Sequence, residues 1–144
     1  MRYRKGRVGR VVVVRFEDGE DFLSALAELA KAEEIHSAVF YILGGIKRGS
    51  LVLGPGHEGP PPEPIWHEVA ESSEVLGIGT IFWDEEAPRV HLHTAVGRAD
   101  KVHVGCLRQE GETFLVLEAV VMEIEGVEAR RLKDPATGLS LLEL

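Results

Sequence analysis

Two histidines one residue apart, His91-Leu92-His93, and the chain's single cysteine, Cys106, are the residues with the clearest chemical potential. In a strand, side chains alternate between faces, so residues two apart project to the same side. Arg89-Val90-His91-Leu92-His93-Thr94-Ala95-Val96 reads as a strand with Val90, Leu92, Ala95 and Val96 in the core. That sets both imidazoles on one face, at a separation one metal ion can bridge. Lys101 to Arg108 reads as a second strand, joined to the first by the turn Gly97-Arg98-Ala99-Asp100. If the two pair as a hairpin, a Cys106 thiolate approaches the imidazoles and completes a three-donor site. Nitrogen and sulfur donors suit zinc, with a fourth position left for water, a substrate or a residue from elsewhere.

His103 competes with Cys106 for the third place. The two are three residues apart, so they face opposite sides of a strand and only one can serve. Val102 and Val104 share the Cys106 face. His67, beside Trp66, is the outside candidate for a fourth donor, whereas His36 and His57 read as structural or surface residues. Glu74 and Glu118 lie within apolar strands, either on a solvent face or turned inward as partner or general base for a metal-bound water. Cys106 as a nucleophile with His93 or His103 as base has no further support in the sequence. Gly44-Gly45 leads into no helix, so it does not read as a phosphate-cradling loop.

The elements that must position these residues follow from hydrophobic patterning. Val8 to Phe16 is an apolar, β-branched strand ending at the turn signal Glu17-Asp18-Gly19. Asp21 caps a helix from Phe22 to about Glu33, with Phe22, Leu23, Leu26, Leu29 and Ala30 as its apolar stripe. Ser37 to Leu43 is a strand that Gly44-Gly45 breaks or bulges before the short strand Gly49 to Leu53. Gly54 to Pro64 is an exposed Gly/Pro loop; Ile65 to Ala70, Glu74 to Trp83 and Thr113 to Ile124 are further strands. The tail holds a turn at Asp134-Pro135-Ala136-Thr137-Gly138 and a short apolar run after it. The expected fold is α+β, a mixed, largely antiparallel β-sheet of about six to eight strands with one main helix packed on it.

At 144 residues and 44% hydrophobic, the chain is expected to form one domain over 1–144. Acidic groups outnumber basic ones, 24 to 16, for a net charge of −8, which disfavours a whole-surface attraction to nucleic acid or anionic lipid. The exception is the N-terminal segment with Arg2, Arg4, Lys5, Arg7 and Arg10, readable as a solvated edge strand or as a phosphate-contacting arm. One cysteine makes no intrachain disulfide, no apolar run approaches the ~20 residues of a membrane span, and no secretory pattern opens the sequence, so a cytoplasmic protein without membrane contact is expected.

Several segments together resemble the plants-and-prokaryotes conserved (PPC) domain, which follows AT-hook segments in plant nuclear DNA-binding proteins and stands alone in prokaryotes. The segments are Asp18-Gly19-Glu20-Asp21 at the helix entry, Ala38 to Leu51 with its Gly-Gly bend, Glu74 to Ile81, and, most specifically, Val90-His91-Leu92-His93-Thr94-Ala95-Val96-Gly97. Val102-His103-Val104-Gly105-Cys106-Leu107 is similar to the family's Gly-Gly-His-Leu segment, with Cys106 where the family has its third histidine and Val104 in place of the first glycine. The resemblance therefore implies the metal set His91, His93 and Cys106, with zinc as the cofactor, and a homotrimer in which each sheet packs on its neighbours. Lys5-Gly6-Arg7-Val8 lacks the proline of an AT-hook core, so DNA binding gains little from these residues. The expected function is a metal-binding, binding or regulatory module linked to DNA or transcription. The alternative is a metal-dependent hydrolase or lyase acting on a small molecule, with Glu74 or Glu118 as base.

Overall fold

The β-branched run of the first strand and the Asp21-capped stripe after it fold as the patterning requires. β1 spans Arg7–Glu17 and α1 spans Phe22–Ala32, with Asp21 accepting from the Leu23 backbone N–H. The computed structural model describes residues 1–144. The chain continues through β2 (Ser37–Pro55), β3 (Pro64–Val69), β4 (Ser73–Trp83), β5 (Pro88–Arg98), β6 (Lys101–Glu125) and a terminal hairpin, β7 (Arg130–Lys133) and β8 (Ser140–Glu143).

Six strands form one sheet in the order β1-β6-β5-β4-β2-β3, and β7 pairs with β8 in a small second sheet. The fold is thus α+β and mostly β. Every pairing is antiparallel, so the mixed component expected from sequence is absent. β6 also pairs with β2, which closes β6, β5, β4 and β2 into a hydrogen-bonded ring.

Two strands are longer than the patterning suggested. Ser37–Leu43 and Gly49–Leu53 belong to one 19-residue strand, and Lys101–Arg108 and Thr113–Ile124 to one 25-residue strand. Bulges at Gly44/Gly45, Ile46/Arg48 and Gly49/Ser50 bend the β2–β6 ladder without ending it. Glycine is required at the bend: Gly44 has a φ of 141°, and a Cβ there would stand 2.5 Å from the Val116 carbonyl oxygen.

The core lies inside the ring and under the helix. Phe40, Ile42, Ile46, Leu51, Ile81, Leu92, Leu117 and Val121 are fully buried with Phe22, Leu26 and Ala30 of α1. In β5, Leu92 and Val96 point into this core beside Thr94, and Ala95 lies on the opposite face with the histidines. α1 is tied to β6 by its own cap residue, since Asp21 Oδ1 also accepts from Gly111 N at 3.2 Å.

Candidate metal centre

β5 and β6 form the hairpin that brings the three donors together. A tight turn at Ala99-Asp100, with Ala99 at a φ of 52°, sets Arg98 opposite Lys101 and carries the register to Leu92↔Leu107. In that register His93 lies directly across from Cys106, and directly opposed residues share a face. His91 lies two residues along the same face, its ring centroid 5.0 Å from that of His93 at an interplanar angle of 81°. One donor atom from each of His91, His93 and Cys106 lies within 4.8 Å of the other two.

The neighbouring strands confine the cluster. Thr80 of β4 is opposite His91, Ile78 is opposite His93, and Cys106 is flanked on its other side by Val52 of β2. Cys106 is 5% exposed, His91 is half-buried and His93 is exposed, so the cluster opens to solvent on the His93 side.

Burial governs the protonation of His91 and Cys106. Desolvation, reinforced by Arg131, His93 and Arg108, lowers the His91 pKa to about 4, so its ring is neutral at physiological pH. Desolvation raises the Cys106 thiol above its ordinary value, against the opposing pull of Arg108 and Arg131. Two imidazole nitrogens and one sulfur match the donors of tetrahedral zinc, and the donor set fits that ion. A cation bound there would favour the thiolate and compete with the proton for it.

Sequence reasoning missed Arg131. Its guanidinium reaches across from β7, 3.1 Å from His91 Nδ1 and 3.2 Å from Thr80 Oγ1, and stands 6.0 Å from the Phe82 ring centroid. Arginine can only donate, so His91 Nδ1 is the acceptor and the proton of the neutral ring sits on Nε2. Nothing in Arg130-Arg131-Leu132 signals this contact, which depends on the terminal hairpin folding back over β4.

Other candidates lie elsewhere. His103 pairs with Val96 and stacks on His67 with centroids 3.8 Å apart, away from the Cys106 face. Glu74 is exposed at the far end of β4, opposite Gly45 and Gly97. Glu118 is exposed on β6, opposite Leu43 and Arg15, with the whole of Leu107–Leu117 between it and Cys106. Neither carboxylate joins the three-donor group.

Residues 3–125 match the model of the Plants and Prokaryotes Conserved (PCC) domain, the family also abbreviated PPC. The chain belongs to the PCC family. Among solved PCC-like folds, a plant- and prokaryote-conserved protein from Pyrococcus horikoshii superposes with a TM-score of 0.86 at 27% identity, covering 100% of this chain and 98% of that one. A protein from Archaeoglobus fulgidus described as metal-containing gives 0.87 at 23% identity, with 100% of both chains covered. A Ralstonia eutropha protein described as a candidate DNA-binding protein gives 0.76 at 22% identity, covering 92% and 90%. No curated protein matches this PCC chain. No helix of it is long and apolar enough to cross a membrane.

Proposed function

We propose that this PCC chain is a binding or regulatory module that holds one divalent cation, zinc by its donor chemistry, through His91, His93 and Cys106. The observation that carries the reading is the convergence of three donors from adjoining strands within 4.8 Å. The metal-containing description of the Archaeoglobus fulgidus fold relative is consistent with it. Elemental analysis of purified protein should find close to one zinc per chain. The His91→Ala/His93→Ala double variant should lose it, and unchanged zinc in that variant would remove the assignment.

The module is assigned as a homotrimer built on the face that carries the cluster. Beside His93 and Cys106, this face exposes Tyr41 and Leu43 of β2, Leu76 and Ile78 of β4, and Val102 and Val104 of β6. The register makes them contiguous: Tyr41 lies opposite Ile78, which lies opposite His93, and Leu43 lies opposite Leu76, which lies opposite Ala95 and then Val104. An apolar patch of this extent is a binding surface, and second copies of the chain supply a partner of the same chemistry.

A hydrolase or lyase is the weaker reading, because neither Glu74 nor Glu118 reaches the cluster to act as base. A link to transcription acts through a partner other than naked DNA. Arg2 pairs with Glu143, Arg7 with Glu125, and Arg10 with Glu33 and Glu123, so the basic N-terminal segment is largely neutralised in place. Fluorescence anisotropy with labelled duplex at low salt checks this: salt-sensitive binding would return DNA to the reading.

A further inference from the structure

A cleft of about 990 Å³ opens beside the cluster, between the terminal hairpin and the β4–β5 turn. Its volume is that of a small-molecule site. His91, Arg108 and Arg131 line the wall nearest the donors, and Lys133 stands on the same hairpin as Arg131. The opposite rim carries Arg89 with Asp84, Glu85 and Glu86. Asp84 is engaged there, accepting from the Glu86 and Ala87 backbone N–H groups and pairing with Arg89.

The near wall is different. Neither Arg108 nor Arg131 forms an ion pair, although the chain carries eight more acidic than basic residues. Arg131 is the more exceptional, because its Nε–H is buried with no hydrogen-bond partner. Its other contacts are the neutral acceptors Thr80 Oγ1, His91 Nδ1 and the Ser140 carbonyl. Burial and the neighbouring Arg108 both work against its charge, and only the Cys106 sulfur nearby favours it. A half-buried guanidinium with an orphaned, buried Nε–H and a like charge beside it is costly unless something anionic completes it.

We propose that Arg108 and Arg131 form an oxyanion subsite that takes a small carboxylate- or phosphate-bearing ligand next to the three-donor cluster. Planar guanidinium forks match carboxylate and phosphate geometry, and two of them on one wall fix both position and orientation. The subsite is coupled to the cation site, and this second part rests on the cation reading above. A neutral imidazole has one lone pair, which His91 now gives to Arg131. A cation held by His91 takes that lone pair, or forces the ring proton onto Nδ1 where it faces the guanidinium; either way Arg131 is released toward the cleft. Cation loading therefore strengthens anion binding, and by linkage the anion strengthens cation retention.

Isothermal titration of the full chain, zinc-loaded and EDTA-treated, with inorganic phosphate and separately with malonate tests both parts. At least one anion should bind the zinc-loaded protein with a Kd of about 1 mM or tighter. Arg108→Ala and Arg131→Ala should each weaken it roughly tenfold to a hundredfold, the loss of one charge-assisted contact. Arg108→Lys should weaken it less, keeping charge without the fork. Arg108→Ala should keep its zinc and its far-ultraviolet circular dichroism, which separates a lost ligand contact from a lost fold. No binding of either anion up to about 10 mM, or wild-type affinity in both alanine variants, would overturn the subsite. So would a DNA duplex that binds where phosphate and malonate do not. Equal anion affinity with and without zinc would overturn the coupling alone. A wild-type protein that binds anion but carries no zinc would overturn the cation reading and leave the subsite standing.

Discussion

Gly79→Ala tests how tightly the ring of strands packs behind the cluster. Gly79 lies opposite Phe40 on one side and Leu92 on the other, with its missing side chain directed at the Phe40 ring. A Cβ at this position would stand 2.5 and 2.8 Å from Phe40 Cε1 and Cε2, and nearer still to Cζ. Phe40 is fully buried and has no room to turn away. Overpacking of this kind costs about 1–3 kcal/mol, and with three ring atoms too close the upper end applies. Loss of glycine's freedom in the unfolded chain returns about 0.4–1 kcal/mol. The net is a destabilisation of about 2 kcal/mol, or a melting temperature lower by roughly 6–8 °C. Gly97→Ala is the control, because a Cβ there would meet nothing closer than Val102 Cγ2 at 3.7 Å. Urea and thermal unfolding should be compared at one protein concentration, since the proposed assembly would contribute to apparent stability. Phe40→Leu should partly rescue Gly79→Ala, so that the double variant loses less than the two single losses added together. Ile78 and Thr80 oppose His93 and His91, so the displaced strand should also hold zinc less well. Equal stability of the two alanine variants would refute the packing argument.

Two further outcomes follow from features already described. Ile78→Arg places a charge in the centre of the exposed apolar face, and light scattering should show the proposed homotrimer reduced to monomer; an unchanged mass would overturn this interface. Hydrogen bonds from the Glu86 and Ala87 backbone, with Arg89, lower the Asp84 pKa from 3.8 to about 2. The folded value is the lower one, so this stabilisation is present above pH 4 and is lost as the pH falls through about 2. The stability difference between wild type and Asp84→Asn should therefore shrink across that window, and a difference that stays constant would show that the carboxylate does not hold the turn.

The parts of this molecule legible in its sequence are those written in local periodicity. The stripe from Phe22 to Ala30 and its Asp21 cap located the helix, because both signals lie within a few residues. His91 and His93 share a face by strand geometry alone, and the turn before Lys101 made the β5–β6 hairpin readable. The placement of Cys106 beside His93, with His103 away from both, was not local: it depends on the register of the β5–β6 hairpin. Gly44-Gly45 reads as a break or a bulge because glycine weakens strands; the structure has the bulge, and the strand runs on because glycine lets β2 approach β6 so closely that a side chain would strike the Val116 carbonyl. Long-range approach leaves no periodic trace, which is also why Arg131, brought to His91 by a hairpin lying over β4, has no signal in the sequence.

Cys106 occupies the point where β6 is bonded on both flanks, to His93 of β5 and to Val52 of β2. A sulfur anchored to such a backbone cannot give ground to suit its guest without tearing two ladders at once. The frame is stiff on the sulfur side and yielding only through the outward imidazole of His93. Discrimination among ions would then fall to radius and preferred bond length more than to raw avidity, and an oversized ion such as cadmium should seat by tilting that one imidazole rather than by spreading the ring of strands.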